Sequence, residues 1–346
     1  MKKKYYSYKN ANFCVLLIWI TLSLCVPSVH SETIKWPMHS QFIESNFVVR
    51  DILKPFVAEV YKRTNGRLDI TLHHSKELGY SGGDMMRHLR NGVIPISEII
   101  VSFTAGDLPL VLGFELPFLQ RNDAESRLFF STIRPYMAEA YKNDWNQYLL
   151  LNGPFPFTGV FTRDKPINTL DDLKGLKVRT LGKMSSEAFK SLNATPVYIE
   201  FTEVYMALKR GTADAAQTSA TTAADAKLWE VTKFFTQLYL TRTSWAISVN
   251  KQAADSLPPD IRKILFEVAS EFEQKMFDIS LKAESDAAGV MASNGQKFYE
   301  ISPGLMEECS NITRYKWHEW ADTVGNDGKN ILNTFLEKTG RSELKR

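Results

Sequence analysis

Between Asp260 and Ala288 the chain has neither proline nor glycine, and Ile261, Ile264, Leu265, Val268, Phe272, Met276 and Ile279 recur three and four places apart. That spacing predicts one continuous amphipathic helix, roughly 45 Å long at 1.5 Å per residue. Such a helix is longer than one small domain needs. The expectation is therefore a chain of two domains with a single helix running across both, and 346 residues are enough for that plan.

Upstream, the pattern alternates. Strand-like runs at Thr33–His39, Arg67–His74 and Ile94–Phe103 are separated by helical spacing at Asn46–Arg63 and Met85–Asn91. This rhythm predicts a layered α/β domain with a mostly parallel sheet. The prolines of GDLPLVLGFELPFL, Gly106–Leu119, forbid a central strand or a regular helix, so a packed loop is expected there. A helix to about Asn143 and a strand at Gln147–Leu151 follow. A second α/β rhythm starts near Phe157: a strand at Thr158–Thr162, helices at Ser185–Leu192 and Thr202–Arg210, a strand near Ala213–Thr218 and another opening at Trp245.

The N-terminus differs in kind. Lys2, Lys3, Lys4 and Lys9 precede an apolar run, Phe13–Val26, and Val29 and Ser31 are small residues at the −3 and −1 places of a cleavage site. This reads as a secretory signal peptide over residues 1–31, cleaved after Ser31 into the periplasm. The run is short for a membrane span. Without residues 1–31 the chain carries 38 Lys+Arg against 39 Asp+Glu, so its basicity belongs to the signal and nothing argues for nucleic acid. Cys14 and Cys25 leave with the signal. Cys309 remains alone, which excludes an intrachain disulfide and a cysteine-rich metal site.

Catalytic patterns are missing. His73 and His74 are strand neighbours that face opposite ways, and His318 has no second histidine one helical turn on. No G-x-S-x-G, G-x-x-x-x-G-K-[ST] or G-x-G-x-x-G occurs. No nucleophile has a base beside it. No cofactor and no metal are expected.

One residue stands out. DDLKGLKVRT, Asp171–Thr180, is a polar turn, a glycine and a short strand that ends on Arg179. A strand-end arginine either reaches water or sits in a cleft and holds an anion with its planar fork of donors. The strand alone leaves both open.

From about Thr33 to Leu336 the chain resembles the solute-binding proteins of tripartite ATP-independent periplasmic (TRAP) transporters, the DctP-like family. The resemblance rests on KPINTLDDLKGLKVRT (Lys165–Thr180), FTEVYMALKRGTADAAQT (Phe201–Thr218), ELPFL (Glu115–Leu119), KLWEVTKFF (Lys227–Phe235) and VNKQAADSLPPDIRKIL, which leads into the long helix. It implies the α/β, two-domain periplasmic solute-binding fold, a ligand cleft between the domains and the long helix bracing both. It also implies transport rather than catalysis. A small organic acid would be delivered to a permease of one small and one large membrane subunit, driven by an ion gradient. An ATP-driven importer's binding protein shares the two-domain plan, and an exported enzyme acting on a carboxylate is the other alternative; the first two motifs weigh against the former.

In the family, the arginine that ends the KGLKVR strand pairs with a substrate carboxylate, and Arg179 occupies that place. Members that bind sialic acid or C4-dicarboxylates carry a further arginine where this chain has Gly159; Arg163 lies four residues further along the strand. The family's D-G-Q-E-N segment reads Asp214-Ala215-Ala216-Gln217-Thr218, and Val101–Thr104, with Ser102, replaces charged contacts of some relatives. The resemblance therefore implies a pocket less charged than a dicarboxylate site, suited to a monocarboxylate. Its ligand-binding residues would be Arg179, Phe201, Gln217, Thr218, Trp245, Tyr80, Ser102, Met38 and Phe155, although each aromatic is equally a core-packing candidate. Domain I is expected over 32–154 plus 245–285, and domain II over 155–244 plus 286–346.

Overall fold

The computed structural model describes Met1, residues 32–75 and residues 77–344; the expected signal peptide and its cleavage site lie almost wholly outside the described residues. Strands follow in the order β1 (Ile34–Ser40), β2 (Leu68–His74), β3 (Ile96–Ile100), β4 (Gln147–Pro154), β5 (Gly159–Thr162), β6 (Lys177–Thr180), β7 (Thr195–Tyr198), β8 (Ala215–Thr218), β9 (Phe234–Gln237), β10 (Ser244–Asn250) and β11 (Lys297–Glu300). They build two mixed sheets, ordered β2-β1-β3-β10-β4 and β11-β9-β5-β8-β6-β7. The α-helices are α1 (Lys54–Arg63), α2 (Met85–Arg90), α3 (Asp123–Asn143), α4 (Lys183–Ser191), α5 (Val204–Arg210), α6 (Ala220–Asp225), α7 (Lys251–Asp255), α8 (Pro259–Ser293), α9 (Pro303–Thr313), α10 (Tyr315–Val324) and α11 (Asn326–Lys338).

The first sheet is not mostly parallel. β1 pairs parallel with β2 and β3, but β10 enters between β3 and β4 antiparallel to both. β10 arrives from the second half of the chain, so its direction is set by the crossover and not by a local helical return. The expected helix Asn46–Arg63 is π-wound over Val48–Leu53 and α-helical only from Lys54. Pro55 has no N–H to donate to the preceding turn, which breaks the regular ladder there. The strand expected to reach Phe103 ends at Ile100, and Val101–Thr104 is a 3-10 turn in which Thr104 Oγ1 donates to Val101 O at 2.6 Å. The proline-rich loop is a 3-10 helix over Pro109–Glu115.

α8 has 35 residues, about 50 Å at helical rise. Leu265, Val268 and Met276 join a core with β1, β4 and β10 residues, whereas Met291 joins the core of the second sheet. One helix thus seals both cores. The C-terminal helices depart from expectation. Residues 286–346 are expected wholly in domain II, yet Trp317, Trp320, Ile331 and Phe335 share a core with Ile99, Phe129 and Ala246 of the first sheet's layers. The two indoles also donate to Pro117 O at 2.8 Å and Pro109 O at 3.1 Å. Two bulky tryptophans one helical turn apart need a deep apolar layer, and the aromatic face of α3 supplies it.

Two segments cross between the sheets side by side. Phe155 N donates to Thr243 O at 3.0 Å and Thr158 N to Thr241 O at 3.1 Å. Arg242, 1% exposed, bolts them together. Its Nε donates to Phe155 O at 2.6 Å, its Nη1 pairs with Asp123 of α3 at 2.7 Å, and its guanidinium lies 4.3 Å from the Phe157 ring centre.

Candidate functional site

In the second sheet β6 runs parallel to β7 and β8, so the carboxyl ends of three strands meet. Ligands of α/β sheets bind beyond such ends. Arg179 stands there, level with Val197 and Ala216, and its side chain leans past both strands. Nε donates to Ile199 O at 2.9 Å and Nη1 to Gln217 O at 3.2 Å. The residue is 5% exposed. Among the described residues no carboxylate lies within ion-pair distance of it. Burial pulls the guanidinium pKa down to about 10, while Tyr198 and Glu200 push the other way. A buried cation held by carbonyls alone keeps a strong demand for an anion.

Register sorts the neighbours. Arg179 pairs with Ala216, and Gly159 with Thr218, so these four share one face of the sheet and Gln217 lies on the other. Gln217 and Thr218 are both expected to bind the ligand. The structure separates them: Gln217 gives Arg179 its backbone carbonyl, while its amide nitrogen reaches Thr158 Oγ1 and Thr241 Oγ1, both at 3.1 Å. Thr218 is 2% exposed at the strand end. Phe201 opens the 3-10 turn Phe201–Glu203 and is 37% exposed.

Gly159 is more than a missing arginine. A Cβ there would press on the backbone oxygen of Thr236 and come within 2.6 Å of the Phe235 ring. Phe235 itself stacks on Phe161 at 4.4 Å. The space beside Thr218 is thus filled by an aromatic ring. Arg163 does not compensate. It donates to Leu208 O at 3.3 Å and faces Asp214 at 3.9 Å, toward the amino end of β8.

The other named residues belong to the first sheet or to the crossovers. Ser102 and Thr243 hydroxyls are 3.1 Å apart, and Thr243 donates to Glu115 Oε1 at 3.1 Å. Burial pushes the Glu115 carboxyl up, and hydrogen bonds from Ser102 and Thr243 oppose it. Glu115 lies within ELPFL, a motif from which the sequence alone predicts no role for this side chain. Tyr80 stacks on His88 at 4.7 Å and meets His39 edge-on at 6.0 Å. Met38 and Trp245 are fully buried in one core cluster, against which Phe155 packs; the Trp245 ring covers Gly153. Phe155 also meets Phe42 and Phe47 edge-on. Among the described residues, the hydrogen bonds of Arg179 go to Ile199 O and Gln217 O and to none of these side chains. Arg242 and the Thr158–Thr241 pair were missed because each is defined by a neighbour more than eighty residues away. Among the described residues no group of three or more His, Cys, Asp or Glu could hold a metal ion.

The family model for bacterial extracellular solute-binding protein, family 7 (DctP), matches residues 39–323. The 2,3-diketo-L-gulonate-binding periplasmic protein YiaO of Escherichia coli is 28% identical over 281 residues, covering 81% of each chain. Two solved structures share the architecture. A Bordetella pertussis extracytoplasmic solute receptor binding pyroglutamic acid, DctP7, superposes with a TM-score of 0.79 at 25% identity, over 88% of this chain and 99% of its own. A marine-metagenome TRAP solute-binding protein with co-purified pyroglutamate gives 0.78 at 26% identity, over 88% and 99%. Two sheets joined by paired crossovers and one bracing helix, an unneutralised arginine at the strand ends and a family match over most of the length place this chain among the DctP-type extracytoplasmic receptors of TRAP transporters, which bind small organic acids and do not catalyse their conversion.

Proposed function

We propose that this receptor captures an acid with a single carboxylate, which closes onto Arg179. One observation carries the reading: the Arg179 guanidinium is buried at the carboxyl ends of β6, β7 and β8 and, among the described residues, bonds only to carbonyls. A carboxylate matches the guanidinium fork with two parallel bonds, and the pair gains as water leaves the cleft. Phe235 takes the room of a second cation at Gly159, so a second carboxylate would stay unpaired there, at a cost of several kcal/mol. Pyroglutamic acid and 2,3-diketo-L-gulonate, the ligands of the relatives above, each carry one carboxyl group and a neutral polar body. Phe201, Thr218, Ser102 and Tyr80 would meet that body; Gln217 would act through its carbonyl, and Trp245, Met38 and Phe155 would shape the wall from behind.

The lobes that close are residues 32–154, 245–285 and 315–344 against 155–244 and 286–314, with crossovers 155–158 and 238–243 as the hinge. The loaded receptor docks on a permease of small and large membrane subunits. Export removes residues 1–31. Mass analysis of the secreted protein should show Glu32 as its first residue, and an intact Met1 would refute the cleavage. The ligand reading is tested by calorimetric titration with pyroglutamate and benzoate against succinate and malate. At least one monocarboxylate should bind well ahead of both diacids; tighter binding of a diacid would overturn the single-carboxylate assignment.

A further inference from the structure

We propose that Glu284 is a positioning residue: from α8 it clamps the carboxyl end of β8, and through that strand end the carbonyl that orients Arg179. The inference rests on the reading of Arg179 as the carboxylate anchor. The Glu284 carboxylate accepts from Ala220 N at 2.9 Å and from Thr221 N at 3.1 Å. These are the first two amides of α6, and Ser219, the N-cap, accepts from the third, Thr222 N, at 3.3 Å. Thr218 ends β8 one residue earlier, and Gln217, the residue before it, holds Arg179 Nη1. Two residues, Thr218 and Ser219, therefore separate the clamped Ala220 amide from the carbonyl on the guanidinium.

The place of Glu284 along α8 gives the clamp its meaning. Earlier acids of the helix hold the first lobe. Glu271 pairs with Arg63 at 2.5 Å, Glu273 with Arg134 and Asn152 N at 2.8 Å each, and Asp278 with Arg127 at 2.5 Å. Beyond Glu284, Ala287, Ala288 and Met291 pack in the second lobe's core. Glu284 is thus the acid by which the bracing helix takes hold of the ligand strand. The charges facing it are Arg242 from the crossover and Asp123 from α3. On α6, Asp225 faces Arg50 of the π-helical turn, and on α8, Asp286 pairs with Lys282. Burial lifts the Glu284 carboxyl to about 7, against the two amide bonds that favour its charged form. As pH falls through that value the carboxyl is protonated and its grip on the two amides weakens.

The test compares the full mature chain with its Glu284→Gln and Glu284→Asp variants. Pyroglutamate affinity is measured at about pH 6 and about pH 8, and hydrogen exchange of the Thr218–Thr222 amides is followed without ligand. Glu284→Gln should bind about tenfold or more weakly at the higher pH and converge with the wild type at the lower, because charge-assisted bonds are lost. Its Ala220 and Thr221 amides should exchange faster, and Glu284→Asp should lie between. Wild-type exchange in Glu284→Gln, or an affinity loss equal at both pH values, would overturn the proposal. If the wild type ignores pyroglutamate, the monocarboxylate that does bind takes its place, and if a diacid binds tighter the ligand reading fails on its own while the exchange data still decide the clamp.

Discussion

Two buried arginines, Arg242 and Arg179, meet opposite fates in this molecule. Arg242 at the crossovers is neutralised by Asp123, bonded to Phe155 O and stacked on Phe157. Arg179 at the strand ends is bonded to two carbonyls and has no carboxylate partner among the described residues. Burial depresses both guanidinium pKa values, but only Arg242 has an ion pair to offset it. A buried charge whose partner is built in holds the fold. One whose partner is absent keeps a demand for an anion from outside the fold. The same side chain is a rivet in one region and, on the proposed reading, a receptor in the other, and the difference lies in what the fold brings to it.

The largest effect should come from the rivet. Arg242→Ala leaves Phe155 O and Asp123 without their donor and removes the stack on Phe157, and breaking a buried pair costs about 3–5 kcal/mol. Thermal unfolding without ligand should show a clear fall in Tm; an unchanged Tm would erase the distinction between the two arginines.

Arg179→Ala should do the reverse. Loss of one member of a buried charge pair costs about 2–5 kcal/mol of binding, roughly a thirty- to several-thousand-fold loss of affinity. The fold should survive, since no ion pair is broken. Arg179→Lys should also lose much of the binding, because an ammonium cannot offer the planar fork. Affinity and ligand-free Tm measured on the three proteins decide this, and near-normal affinity in the alanine variant would make Arg179 a second structural arginine.

The smallest effect sharpens the contrast from the side of shape. Gly159→Ala forces a methyl against Thr236 O and the Phe235 ring, and overpacking of this kind costs about 1–3 kcal/mol. Pairing it with Phe235→Ala, which opens the space, should restore part of the stability. Additive losses in the double variant would show that Phe235 is not what fills the arginine's place.

Much was legible in the residues themselves. The unbroken 3.6-residue pattern after Asp260 specified a long helix, because helical periodicity and the absence of breakers are local properties. Arg179 was legible as a candidate, since a guanidinium closing a short strand is unusual enough to ask about, and the flanking motif gave it a family place. The missing side chain at Gly159 was equally plain. What the sequence could not carry was partnership. Whether Arg179 or Arg242 is neutralised depends on Asp123, Ile199 and Gln217, whose positions follow from sheet register and crossover pairing. Gln217 and Thr218 are neighbours in the chain yet face opposite sides of the sheet, and only the pairing with β5 and β6 says which side holds the arginine. Trp317 and Trp320 lie in the stretch 286–346 expected in the second lobe, yet they pack in one core with Ile99, Phe129 and Ala246 of the first. Local sequence determines which elements form. Which charge is left without a built-in partner is settled by contacts between residues far apart in the chain, and those exist only once the tertiary fold has closed.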